Sequence, residues 1–277
     1  MKNFKYLKPQ TLKEASDLLI QYGESAHILN GGTDLIVRMR ENITTPKVVV
    51  DIKYIEELSA IYFDEEGLFV GSCVKLSDMA HNRDVVERYD FLADAAEKVG
   101  SGQIRNLATM VGNICNASPL ADTATPLLAL EANVYIYGHE GERVVSIHEF
   151  FKGVRKTCLN QGDIVVGIQI PAYKDLKGVF LKNSRRREAD LSTVCTTVIK
   201  IGEEIRIAMG AVAPTPIRAW KAEELAMGKD LTDRVVTMIS EVAAGESKPI
   251  DDVRSSREYR KEMVKIMVRR SLEKLRD

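Results

Sequence analysis

TLKEASDLLIQYGESAHILNGGTDLIV, residues 11–37, passes from a helical pattern through a short apolar run into a glycine pair. Thr11 and Glu14 have the form of a capping box. Leu12, Ala15, Leu18, Leu19 and Tyr22 recur on one helical face. This spacing predicts a helix over 11–22, and residues 26–29 read as a strand running into Gly31 and Gly32. KVVVDI, residues 47–52, is a continuous apolar run of strand length, which implies burial on both faces of a sheet. Helix, strand, loop and strand in that order open an α/β unit.

Taken alone, the glycine pair has two readings. A residue with a Cβ costs ~1–2 kcal/mol in left-handed geometry, so Gly-Gly serves turns. Backbone N–H groups also reach anionic oxygens best where no Cβ blocks the approach, so the same pair serves a diphosphate. Thr33 adds a hydroxyl. Asp34 would repel phosphate and suits a ligand hydroxyl or loop N–H groups instead. Neither GxGxxG nor GxxxxGK[ST] is present, which disfavours a dinucleotide-binding Rossmann unit and a P-loop.

Further along, residues 68–74 read as a strand, a helix is expected from a Ser77 cap to Tyr89, and 91–100 read as a helix ending at Gly100. Residues 101–126, SGQIRNLATMVGNICNASPLADTATP, are long, weakly periodic and rich in small polar residues. Their scattered apolar anchors, Ile104, Leu107, Met110, Ile114 and Leu120, favour an ordered functional loop. Asn113 and Ser118 offer hydrogen bonds there. Residues 163–171 read as a strand.

The pattern changes after Pro171. Residues 190–201 and 203–213 form a hairpin pattern around Gly202, and helices follow, the last over 256–275. Consecutive strands followed by helices suggest an α+β domain. The expected division is a first domain over 1–175, in two subdomains of about 1–57 and 58–175, and a second over 176–277. In FLKNSRRREADLS, 180–192, strand alternation would put Lys182, Ser184 and Arg186 on one face.

Composition narrows the function classes. The chain has 277 residues, 45% hydrophobic and 29% charged, with a formal net charge of -1. No global field draws it to nucleic acid or anionic lipid, and Arg185–Arg187 lack aromatic interleaving, so no nucleic-acid partner is expected. No apolar run reaches the ~20 residues of a membrane span. The N-terminal segment MKNFKYLKPQTLKEA has no apolar signal core, so a cytoplasmic location is expected. Cys73, Cys115, Cys158 and Cys195 form no CxxC pair, and the four histidines show no metal spacing. No metal site and no catalytic acid, base or nucleophile cluster is expected, so redox chemistry would need an organic cofactor.

Four blocks in order resemble the FAD-binding medium subunit of the molybdenum hydroxylases, nearest to the xanthine dehydrogenase FAD-binding subunit. ILNGGTDL is similar to that family's first flavin loop, and QIRNLATMVGNICNASPLADTATPLLAL to its second. KNSRRREADLSTV and GAVAPTPIRA complete the match over nearly the whole chain. The resemblance implies an α+β fold: a two-subdomain FAD-binding α/β fold of the vanillyl-alcohol oxidase type, then a smaller α+β domain of the CO dehydrogenase flavoprotein type.

It also implies roles. Ile28, Leu29, Asn30, Gly31, Gly32, Thr33, Asp34 and Leu35 would wrap the FAD diphosphate. Thr109, Gly112, Asn113, Cys115, Ser118 and Asp122 occupy flavin-contact positions, Asp122 accepting from sugar hydroxyls. Lys182 stands at a cofactor-side lysine position, and Val165 and Leu191 at apolar positions beside the isoalloxazine ring. The family's second loop has Gly-Gly before Asn, where this chain has Val111 and Gly112. If that first glycine serves positive φ, Val111 is strained. The implied activity is oxidoreductase electron transfer from [2Fe-2S] clusters through FAD to NAD or another acceptor. An iron-sulfur subunit and a molybdopterin subunit would be separate chains. A self-contained flavin oxidase or reductase, and a flavin-free binding module, remain open alternatives.

Overall fold

The computed structural model describes residues 1–276. Three sheets carry the chain. The first is a parallel three-stranded sheet of β1 (Lys5–Leu7), β2 (Ala26–Leu29) and β3 (Val48–Asp51), with β3 in the centre. All four residues of β3 are buried, as its unbroken apolar run implied. The Leu12–Tyr22 helix lays Leu12, Ala15 and Leu19 against Val48, Val50 and Ile52. Thr11 Oγ1 caps it by accepting from Glu14 N–H at 3.1 Å. Glu14 reaches back to the Gln10 N–H rather than to that of Thr11, so the box is one residue wide of the expected form.

The second sheet is antiparallel. It contains β4 (Ile61–Asp64), β5 (Gly67–Gly71), β6 (Asn133–Gly138) and β7 (Gly141–Ser146). A small hairpin, β8 (Phe151–Gly153) and β9 (Lys156–Thr157), precedes its last strand, β10 (Ile164–Pro171). The spatial order is β4-β5-β10-β6-β7. Leu68, Val70, Val134, Ile136, Ile168 and Ile170 meet Phe91, Leu92, Ala95 and Leu127 in the largest core.

The expected helix from Ser77 to Tyr89 is instead two helices, Leu76–Ala80 and Arg83–Arg88. Asn82 caps the second by accepting from Asp84 and Val85 N–H. The 101–126 segment is ordered, with helices at Gly102–Arg105 and Met110–Cys115 and a third beginning at Ala124.

The third sheet, β11 (Leu176–Asn183), β12 (Val194–Ile201), β13 (Glu204–Gly210) and β14 (Ile217–Arg218), is antiparallel in sequence order. The β12–β13 hairpin turns at Gly202, which has φ +56°. Helices Asp233–Glu246 and Arg257–Arg276 cover it, placing Val236, Ile239, Val264, Met267, Val268 and Leu272 over Val194, Val198, Ile205 and Ile207. Phe180, Cys195, Ile199 and Ala208 join the core of the second sheet, so the two sheets share packing. Because β11 ends at Asn183, Arg186 lies beyond the strand, and the expected shared face of Lys182, Ser184 and Arg186 does not form. Among the described residues no helix is long and apolar enough to cross a membrane.

Candidate flavin site

The loop after β2 and the Thr109–Asn116 turn face each other across a cavity of about 380 Å³ between the first two sheets. Gly31 is where the two loops touch. A Cβ there would lie 2.3 Å from the Leu107 carbonyl oxygen and 2.9 Å from Ala108 Cα. Gly32 has φ +73°, and a Cβ on it would meet Leu29 Cδ1 at 2.7 Å. One glycine therefore permits loop-to-loop contact and the other permits left-handed backbone. No internal partner takes the N–H groups of Gly32, Thr33 and Asp34 among the described residues.

Asn30 locks this arrangement. Its Nδ2 donates to the Ser72 carbonyl at 2.6 Å and to Thr109 Oγ1 at 3.0 Å. Thr109 Oγ1 also accepts from Gly112 N–H at 2.9 Å, capping the Met110–Cys115 helix. The Asn30 Oδ1 atom is buried without a partner, as is His27 Nδ1, and both residues line the cavity. A buried unpaired polar atom is costly; Asn30 Oδ1 lacks a donor, and His27 Nδ1 lacks a partner of either kind. Burial lowers the His27 pKa, with the Arg38 charge adding to it, so the ring is neutral at pH 7.

The acids on the cavity wall are already paired. Arg155, at the turn between β8 and β9, donates to Asp34 at 3.1 Å and to Asn116 Oδ1. Asp163 accepts two hydrogen bonds from Arg143 and one from Asn160 N–H. Burial pushes the Cys115 thiol up to about 12, which makes it a poor nucleophile.

Of the residues expected to contact flavin, Ile28, Asn30, Gly31, Gly32, Thr33, Asp34, Leu35, Thr109, Gly112, Asn113, Cys115 and Val165 line this cavity. Leu29 sits beneath Gly32. Asn113 Oδ1 is engaged by the Thr123 hydroxyl at 2.7 Å, and the Ser118 hydroxyl accepts from Leu120 N–H off the cavity wall. Asp122, Lys182 and Leu191 are not on the cavity wall. Asp122 is buried and bound by Lys182 Nζ at 2.7 Å and by the Ser192 hydroxyl. Burial raises its pKa, while the lysine and the hydroxyl oppose that rise. Lys182 Nζ also donates to the Lys98 carbonyl at 2.8 Å, next to the cavity residue Val99. Leu191 is 50% exposed.

Val111 lies inside the Met110–Cys115 helix, with φ on the ordinary side and 3% exposure in the largest core. The strain expected of a residue replacing a glycine does not arise. The left-handed residue of this loop is Ala117, with φ +46°. His27 and Arg38 flank the glycine loop in sequence without belonging to a motif; Ser72 reaches the cavity only through the topology, and Arg143 and Arg155 act on its wall through Asp163 and Asp34.

Unpaired amides on a glycine loop, with the buried Asn30 carbonyl oxygen beside them, fit a diphosphate flanked by hydroxyl-bearing sugars. Residues 2–173 match the family model described as the FAD binding domain in molybdopterin dehydrogenase, and residues 179–275 match the CO dehydrogenase flavoprotein C-terminal domain. The chain belongs to this family of FAD-binding proteins. It is 30% identical to the glyceraldehyde dehydrogenase medium chain of Sulfolobus acidocaldarius, covering 98% of each chain. It is 31% identical to the xanthine dehydrogenase FAD-binding subunit of Escherichia coli O157:H7, over 96% of this chain and 93% of the relative. Carbon monoxide dehydrogenase from Hydrogenophaga pseudoflava, solved without the Mo-pyranopterin moiety of its molybdenum cofactor, contains a chain that superposes with a TM-score of 0.94. Its sequence is 31% identical, and the match covers 98% of this chain and 96% of that one. The cofactor of this chain is FAD, and its class is that of an oxidoreductase subunit.

Proposed function

We propose that this chain is the FAD-carrying electron-transfer subunit of a xanthine dehydrogenase-type molybdenum hydroxylase in the cytoplasm. It would take electrons from [2Fe-2S] clusters of one partner chain and pass them to NAD or another acceptor. A separate molybdopterin chain would hydroxylate the substrate. Relatives named as a medium chain and as an FAD-binding subunit support the division of labour.

The observation that carries this reading is the wall of the cavity. Two small-residue loops are pinned together by Asn30, the carboxylates around them are paired with arginines and His27 is neutral. Such a wall binds and orients, but it offers no acid–base pair for substrate chemistry. When bound, FAD supplies the redox chemistry, exchanging one electron or two.

The loop amides of Gly32 to Asp34, which have no internal acceptor among the described residues, would hold the diphosphate. Asn30 Oδ1 would accept from a cofactor hydroxyl or amine, because a phosphate oxygen has no proton to give. For Ser118, Asp122, Lys182 and Leu191 the support as flavin contacts is sequence position alone. We read residues 1–175 as the FAD-binding domain and 176–277 as the C-terminal domain, in line with the spans of the two family matches.

Anaerobic mixing of the FAD-loaded chain with NADH tests the acceptor. Bleaching of the flavin band supports NAD. No bleaching by NADH, with rapid bleaching by a reduced iron-sulfur partner, points to another acceptor. Bleaching of the isolated chain by an organic substrate alone would replace this reading with a self-contained oxidase.

A further inference from the structure

The cavity must accept a diphosphate, yet its wall is poor in positive charge. Among the described residues that line it, Arg38 is the only lysine or arginine. The two carboxylates on the wall, Asp34 and Asp163, are held by Arg155 and Arg143, which do not themselves line it. His27 is neutral. The glycine loop therefore supplies partial charges from its amides, and one full charge stands beside them.

Arg38 is held in place rather than free to swing. It lies on the Leu35–Arg40 helix, which follows the glycine loop directly. The chain turns back after that helix through Asn42, at φ +57°. Ile43 and Thr44 then donate their N–H groups to the Arg38 carbonyl at 2.9 and 3.3 Å. This return brings the Thr44 hydroxyl to Arg38 Nε, which donates to it at 3.2 Å. Thr44 also lines the cavity. Nε is thus occupied, while neither terminal guanidinium nitrogen has a hydrogen-bond partner or ion pair among the described residues. A half-buried guanidinium with one edge fixed and its terminal nitrogens open is suited to bidentate recognition of a phosphate.

We propose that Arg38, oriented by Thr44, is the counter-charge of the FAD diphosphate. The inference rests on FAD occupying this cavity. It gives the 41–44 turn a purpose that neither glycine loop explains, and it places a specificity determinant outside both loops. Flavins lacking phosphate should be indifferent to it.

The test is titration of the full-length apoprotein with FAD and with riboflavin, at low and high ionic strength, followed by flavin fluorescence. Arg38→Met should weaken FAD binding on the order of tenfold to a hundredfold, the range for a hydrogen bond to a charged group. It should also flatten the salt dependence of FAD affinity, while riboflavin affinity stays at the wild-type value. Arg38→Lys should recover part of the loss, and Thr44→Val should fall between wild type and Arg38→Met. If Arg38→Met does not fold, Arg38→Gln and Thr44→Val carry the same comparison. Wild-type FAD affinity and salt dependence in the Arg38 variants would overturn the proposal. So would an equal loss of riboflavin affinity, which would make Arg38 a packing residue. A wild-type apoprotein that binds no FAD would overturn the occupancy reading together with the proposal.

Discussion

Asn30 Nδ2 lies 3.0 Å from Thr109 Oγ1, joining residues 79 positions apart in sequence. The same nitrogen reaches the Ser72 carbonyl at 2.6 Å, so one side-chain amide ties the first loop to the second and to the end of β5. Asn30→Leu removes both bonds and leaves a carbonyl unpaired. We expect FAD affinity to fall at least about tenfold and stability to fall by about 1–3 kcal/mol. Fluorescence titration and urea unfolding measure the two separately. Thr109→Ser should retain most of both.

Gly31→Ala and Gly32→Ala should differ in kind. At Gly31 the new methyl meets rigid backbone at 2.3 Å, so the loops must separate and FAD binding should be largely lost. At Gly32 the obstacle is Leu29 Cδ1, the end of a flexible side chain, together with φ +73°. Left-handed alanine costs ~1–2 kcal/mol, so weakened binding in a folded chain is expected. Flavin content of the purified variants distinguishes them.

Val111→Gly tests whether the missing family glycine matters. Val111 is helical and buried, so the substitution should destabilise the protein by about 2–3 kcal/mol, through lost burial and helix propensity. FAD affinity per folded molecule should not improve. A tighter complex would show that valine had been distorting the loop.

Lys182→Met leaves the buried Asp122 carboxylate without its ammonium, and breaking such a pair costs about 3–5 kcal/mol. The double variant Asp122→Asn with Lys182→Met should recover much of that loss in denaturant unfolding. Recovery would define the pair as structural. A flavin midpoint lower than wild type in the folded double variant would show that Lys182 also acts on the cofactor.

Acid should loosen the C-terminal helix first at Asp252. Burial pushes its carboxyl up, but hydrogen bonds from Arg254 N–H and from Arg260 outweigh burial and hold it at about 2. The buried Arg260 in turn donates to the Thr193 and Ala211 carbonyls. A depressed folded pKa contributes stability that is complete above the unfolded value near 4 and is lost as pH falls toward 2. After allowance for solvent screening, Asp252→Asn should remove about 1 kcal/mol at pH 7 and flatten the stability curve between about pH 4 and 2.

The elements with strong local signals were legible in the sequence. The Thr11 cap, the unbroken Val48–Asp51 run, the Gly202 hairpin and the last helix depend on neighbouring residues, and they appear within a few positions of expectation. The break at Asn82 was missed because its cap competes with a helical pattern that continues across it. The strand order β4-β5-β10-β6-β7 has no local signature, since β10 inserts between strands far earlier in the chain. For the same reason the two glycine-rich loops could be singled out, but not their partners. Arg38 belongs to no motif although it follows the first loop closely; Ser72 reaches the cavity, and Arg155 its Asp34, only through tertiary structure. Gly31 and Gly32 stand out in the sequence, yet that Gly31 serves contact between the two loops is visible only in the structure.

In the proposed function this chain moves electrons through FAD and does no substrate chemistry of its own. Anaerobic stopped-flow of the FAD-loaded chain tests it most directly, first with the organic substrate of the proposed complex alone and then with the proposed molybdenum and iron-sulfur partner chains added. The expected result is an unchanged flavin spectrum in the first mixture and full bleaching in the second. Bleaching of the isolated chain by the substrate would contradict it.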